Sequence, residues 1–159
     1  VVKSRRKGMF RGHTLRNIDA KGRLLLPPEF REEVLRLSPE GKLMLTNFDQ
    51  CVVGYPLPEW EAIEKSFSSL NMANKLFRDF HRFFISGAME VSLDKQGRIL
   101  VPPYLRQYAK LQKDIVLAGV GRKFEIWDRE LFEAQRQEVE ANFEQVMDKL
   151  AEQGFELRF

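Results

Sequence analysis

Cysteine is almost missing. Cys51 is the only one in 159 residues, which excludes an intramolecular disulfide and any zinc site built on cysteine pairs. It lies in the apolar run Cys51-Val52-Val53, where a buried structural thiol is expected rather than a nucleophile. Histidine is nearly as scarce, and His13 and His81 lack the spacing of metal ligands. No apolar run approaches the roughly 20 residues that span a bilayer. The basic N-terminus has no apolar stretch behind it, so a secretory signal is not expected and the cell interior is. No nucleophile stands beside a base, and no glycine-rich phosphate cradle occurs. A chain with no catalytic residues, cofactor, metal, membrane span or small-molecule substrate is therefore expected.

Charge is uneven. Between Lys3 and Arg23 eight basic residues face one acid, Asp19, so that segment carries +7 in a chain whose total is +3. From Asp128 to Phe159 nine acids face four bases. A basic front and an acidic tail fit a protein that offers one surface to a polyanion and another to partners.

The decisive feature is an internal repeat. At a constant offset of 75, Gly12, Asp19, Gly22, Arg23, Leu25, Pro27, Pro28 and Arg31 recur as Gly87, Asp94, Gly97, Arg98, Leu100, Pro102, Pro103 and Arg106. A fainter match follows at an offset of 72, with Trp60-Glu61-Ala62 falling on Phe132-Glu133-Ala134. Each copy is about 45 to 50 residues, too small to be very stable alone, so the two are expected to share a core.

The second copy shows the local pattern more cleanly. Met89, Val91 and Leu93 alternate with Glu90, Ser92 and Asp94, as in a half-buried strand. Asp94-Lys95-Gln96-Gly97 places Asp and Gly at the first and fourth positions of a type I turn, and Arg98 to Val101 is the return strand. Pro102-Pro103 ends that strand and opens a short helix to about Ala109. The first copy repeats this with Asp19-Ala20-Lys21-Gly22, Arg23 to Leu26 and Pro27-Pro28. A second hairpin closes each unit: residues 42–46 join 51–55 across Asn47–Gln50, and 114–118 join 123–127 across Gly119–Arg122. Asn71 is the expected N-cap of a helix from Met72 to Ile85, with Met72, Leu76, Phe80 and Phe83/Phe84 on one face. A final helix is expected from Asp128 to about Glu152. Its stripe Val139, Phe143, Val146 and Leu150 packs on the chain's own core or, alternatively, marks a subunit interface.

The doubled Asp-x-x-Gly-Arg turn followed by strand and proline resembles the MraZ family. Met9-Phe10-Arg11-Gly12, the Asp19-x-Lys21-Gly22-Arg23 turn, Tyr55-Pro56-Leu57-Pro58-Glu59-Trp60 and Phe124-Glu125-Ile126-Trp127 all match its pattern. The resemblance implies a mainly β fold with peripheral helices (α+β): two tandem β-β-α-β-β swapped-hairpin units of AbrB/SpoVT type forming a double barrel, each followed by a longer helix. The expected divisions are 1–8, a basic extension outside the family pattern; 9–58, unit 1; 59–86, a helical connector; 87–131, unit 2; and 132–159, an acidic helix and tail. It further implies a nucleoid-associated repressor, built as a homo-oligomeric ring, that binds short repeats in the promoter of the division and cell-wall gene cluster, including its own gene.

The family's DNA-contacting arginine falls on Arg23, with Arg98 as its counterpart in the second copy. Planar bidentate donors read base edges, flexible cations hold phosphates, and a two-stranded ribbon fits the major groove. Arg23 is thus expected at the bases, with Lys21 and Arg16 on phosphates. Lys95 and Arg98 serve either DNA or contacts between units. Asp19, Gly22, Asp94 and Gly97 shape the turns, with Gly22 removing bulk where a duplex approaches. The alternative for Arg23 is a salt bridge to Asp19. The rival functions are a ring-forming scaffold, an antitoxin-like binder of a protein partner and, least supported, an enzyme using Asp19, Asp94, His13 or His81.

Overall fold

The two Asp-Gly turns form, but the strands leaving them do not pair with each other. A computed structural model of the protein describes residues 9–158; the basic segment 1–8 lies outside the described residues. The opening strand of copy one, β1 (His13–Asn17), is followed by β2 (Arg23–Leu25), the helix α1 (Pro28–Leu37), β3 (Lys42–Phe48) and β4 (Cys51–Pro56). Copy two repeats the order as β5 (Met89–Ser92), β6 (Arg98–Leu100), α4 (Pro103–Tyr108), β7 (Asp114–Val120) and β8 (Lys123–Asp128). Between them run α2 (Leu57–Ser66), a short 3₁₀ turn (Phe67–Ser69) and α3 (Lys75–Ser86).

Strand pairing crosses between the copies. β1 joins β7 and β5 joins β3, while β2 and β6 pair only with each other. The result is a six-stranded antiparallel sheet in the order β1-β7-β8-β4-β3-β5, with β2-β6 as a separate two-stranded ribbon. The simple return strand expected after each turn is therefore corrected. Beyond the turn itself, β1 and β2 are linked by a single bridge, Ile18 to Leu24. Side-chain periodicity fixes which face of a strand is buried but leaves its partner open.

The ribbon lies over the sheet and shares its core. Leu24, Leu26, Ile99 and Val101 join Leu43, Leu45, Val52, Ile115, Leu117 and Ile126 in one buried cluster. Phe10, Phe30 and Phe124 form its aromatic end, with ring centroids 5.2 to 5.7 Å apart. Trp60, Phe67 and Phe84 form a second aromatic group. There Thr46 Oγ1 donates to the Phe84 carbonyl at 2.7 Å, and Asn47 Nδ2 donates to that of Phe83 at 3.0 Å. Cys51 is fully buried, and burial pushes its thiol pKa far up.

Several local expectations shift. The hairpin β3–β4 turns on two residues, Asp49 and Gln50, both at positive φ, so β3 runs on to Phe48. The β7–β8 hairpin tightens likewise onto Gly121-Arg122. The connector helix α3 starts one turn later than expected. Asn74 caps it by accepting through its side chain from the Leu76 and Phe77 N–H groups, whereas the Asn71 side chain accepts from the Ala73 N–H, ahead of the helix. Of the residues expected on its inner face, Phe84 is buried and Leu76, Phe80 and Phe83 are exposed.

A second compact unit begins at Glu130. Its helix divides at Asn142 into α5 (Arg129–Ala141) and α6 (Phe143–Glu152), instead of running unbroken. The Asn142 amide Nδ2 donates to the Glu138 carbonyl at 3.0 Å, competing with the main-chain ladder. Of the expected stripe, Val139 and Phe143 are exposed and Val146 and Leu150 are half-buried. Among the described residues no helix is long and apolar enough to cross a membrane, and no three His, Cys, Asp or Glu side chains gather as metal ligands.

Candidate nucleic-acid interface

Each turn is built by one aspartate. Asp19 Oδ1 accepts from the N–H groups of Lys21 (3.0 Å) and Arg23 (2.8 Å), and Oδ2 accepts from Arg23 Nε at 2.7 Å. The Gly22 N–H donates to the Asp19 carbonyl and the Asp19 N–H to that of Arg23. Copy two is nearly superposable in its chemistry. Asp94 accepts from the Gln96 and Arg98 N–H groups at 2.9 and 2.8 Å and from Arg98 Nε at 2.8 Å. The Arg23 salt bridge weighed as an alternative to base readout is present, yet it engages Nε and leaves the outer edge of the guanidinium open. The Arg23 side chain is 40% exposed and that of Arg98 34%. Arg98 Nη2 also contacts Gln96 Oε1 at 3.4 Å, a link that Lys21 in copy one does not offer.

The backbone N–H of Arg23, helped by its guanidinium, holds the Asp19 carboxyl below the ordinary carboxylate range, and Arg98 does the same to Asp94. A depressed folded-state pKa gives stability that is present above the unfolded value and lost as pH falls through the folded one. The turns are therefore expected to stay unchanged between about pH 5 and 8 and to open only in stronger acid. An NMR titration of the Arg23 and Arg98 amide signals checks this; a midpoint above the ordinary aspartate value contradicts it.

The two glycines serve the swap. Gly22 has φ +91°, and a Cβ there would stand 2.6 Å from the Val101 carbonyl oxygen and 2.8 Å from Arg106 Nε. Gly97 has φ +84°, and a Cβ there would meet the Arg31 side chain, with Nη1 at 2.7 Å. Gly22 is buried and faces the other copy, so the room it leaves is not for a duplex. The repeated pair Arg31/Arg106, to which sequence reasoning gave no role, backs these turns from the opposite copy. Arg106 Nε donates to the Val101 carbonyl at 3.0 Å. Gly22→Ala should cost about 2 to 4 kcal/mol, from left-handed strain plus a clash with fixed backbone. Gly97→Ala should cost less, about 1 to 2 kcal/mol, because a flexible arginine can withdraw. Urea denaturation of both variants measures the difference, and equal losses would contradict the packing argument.

The ribbon brings both arginines to one surface. In β2–β6 Arg23 stands across from Leu100 and Leu25 across from Arg98, while Leu24 and Ile99 between them are buried. Lys21, Lys95 and Asp19 are exposed beside this face. Arg16 sits elsewhere, on edge strand β1 opposite Ile115, half-buried with its Nε enclosed and unbonded. The exposed leucines were missed because Leu24-Leu25-Leu26 looks uniformly apolar. Their recurrence at Leu100 was the available signal.

Two sequence copies that exchange strands around one core, with a cationic ribbon between them, define a tandem swapped-hairpin protein. The chain belongs to the MraZ family. The sequence model of that family, described as "MraZ protein, putative antitoxin-like", matches twice, over residues 9–83 and 84–153. The chain is 60% identical to the "Transcriptional regulator MraZ" of Solidesulfovibrio magneticus over 95% of its own length and 100% of the relative's. Proteins of the same name from Maridesulfovibrio salexigens (51%) and Nitratidesulfovibrio vulgaris (48%) align over 94% and 95% of the chain, and over 99% of each relative.

Proposed function

We propose that this protein is a sequence-specific DNA-binding transcriptional regulator, acting as a repressor on short direct repeats in the promoter of the division and cell-wall gene cluster that includes its own gene. The observation that carries the reading is the exposed ribbon face, on which one guanidinium from each copy projects from stiff antiparallel strands. Its relatives' names support a regulator over a catalyst. Arg23 and Arg98 read bases, and Lys21, Lys95 and Arg16 hold phosphates. Arg16 does so through its terminal nitrogens alone, since its Nε is enclosed. The DNA-binding units are 9–58 and 87–131, joined by the connector 59–86 and followed by the acidic segment 132–159.

The chain also assembles with itself into a ring, in this reading, and works in the cytoplasm on the nucleoid. Support comes from the apolar side chains that α3 leaves in solvent, Leu76, Phe77, Phe80 and Phe83. One ribbon offers few contacts, so several held in register are needed, and avidity then exceeds single-site affinity by roughly 10²- to 10⁴-fold. The test is selection of bound fragments from genomic DNA, followed by affinity measurement across a salt series. Regularly spaced direct repeats and an affinity that falls steeply with salt are expected. Recovery of fragments without a shared sequence would overturn the reading.

A further inference from the structure

The outer face of the ribbon carries two leucines among its cations. Leu25 is 40% exposed and Leu100 53%, whereas their neighbours Leu24 and Ile99 are fully buried. Leu26 N–H donates to the Gly97 carbonyl and Val101 N–H to that of Gly22. By the alternation of an antiparallel ladder, Arg23/Leu100 and Leu25/Arg98 are then the non-hydrogen-bonded pairs, whose side chains stand closest together. The face is thus a four-cornered patch of alternating guanidinium and isobutyl groups, repeated about the pseudo-twofold between the copies.

A surface made only to hold phosphates gains nothing from leucine, because phosphate oxygens are strongly hydrated and offer no apolar contact. The major groove displays one apolar group, the C5-methyl of thymine, beside the guanine O6 and N7 acceptors that suit arginine. We propose that Leu25 and Leu100 are specificity-determining residues that pack on thymine methyl groups next to the bases read by Arg23 and Arg98. The site class is therefore guanine adjacent to thymine. This rests on the DNA-binding reading above and adds a second chemical element to it.

The test uses the full-length protein. A site is first selected from a random duplex library, then synthesised with thymine and with uracil, which lacks only the methyl group. Wild-type protein should bind the uracil duplex about fourfold more weakly for each methyl it covers. The Leu25→Ala/Leu100→Ala variant, checked for folding by thermal melting and for subunit number by size exclusion, should bind both duplexes equally. Equal binding of the two duplexes by wild type overturns the proposal, whatever the variant does. So does a variant that still discriminates between them, or one that changes subunit number, which would make the leucines assembly contacts. If no sequence is enriched from the library, the DNA-binding reading fails instead, before thymine and uracil are compared.

Discussion

Arg23→Ala is expected to abolish sequence-specific DNA binding while leaving the fold and the subunit assembly intact. Arg23 spends only its Nε on Asp19, and its side chain is 40% exposed, so little of the fold depends on it. An arginine bidentate to guanine contributes about 1 to 3 kcal/mol of discrimination. Multiplied across several ribbons engaged at once, its removal should lower specific affinity by about a hundredfold or more. Arg98→Ala should act in the same direction, since the ribbon presents both side chains on one face. Arg23→Lys separates charge from geometry. It should keep salt-dependent, sequence-independent binding and lose the preference for the selected site, because an ammonium cannot reproduce the planar fork. Gel shifts on specific and scrambled duplexes, with size exclusion as control, decide the matter; full specific binding by Arg23→Ala would remove Arg23 from the base-reading role.

Much of this site is legible in the amino-acid sequence. An aspartate three residues before a glycine, repeated at a constant offset, predicts a tight turn, and both turns show the same acceptor pattern around Asp19 and Asp94. Tandem prolines marked where β2 and β6 end and where α1 and α4 begin, because Pro28 and Pro103 occupy first-turn positions where a missing N–H costs nothing. Three features could not be foreseen from pattern. Leu24 is buried whether β2 pairs with β1 or with β6, so alternation said nothing about the exchange. Asn71 and Asn74 both accept backbone hydrogen bonds, and only the path of the chain selects the second as the cap of α3. The break at Asn142 comes from a side-chain amide bonding a main-chain carbonyl, at a position with no proline or glycine to announce it.

The exchange of strands leads to the largest structural effect. Separate expression of residues 9–86 and 87–159 should give no folded monomer from either half, and mixing them should give a 1:1 complex with a cooperative unfolding transition. Four of the six strand pairings join one copy to the other. β1 requires β7, β5 requires β3, β4 requires β8, and the ribbon requires one strand from each. Removing either half would strip Leu24 or Ile99 of its ladder partner and open the shared cluster to water. A domain of about half this length buries too little surface to offset such losses. The first half alone has one route to order, which is to take a second copy of itself in place of the missing one, and that product is a dimer rather than a monomer. Sedimentation and urea denaturation of each half and of their mixture distinguish these states. A half that unfolds cooperatively as a monomer would show that pairing within a copy suffices, and the exchange would then be a consequence of tethering rather than the source of stability.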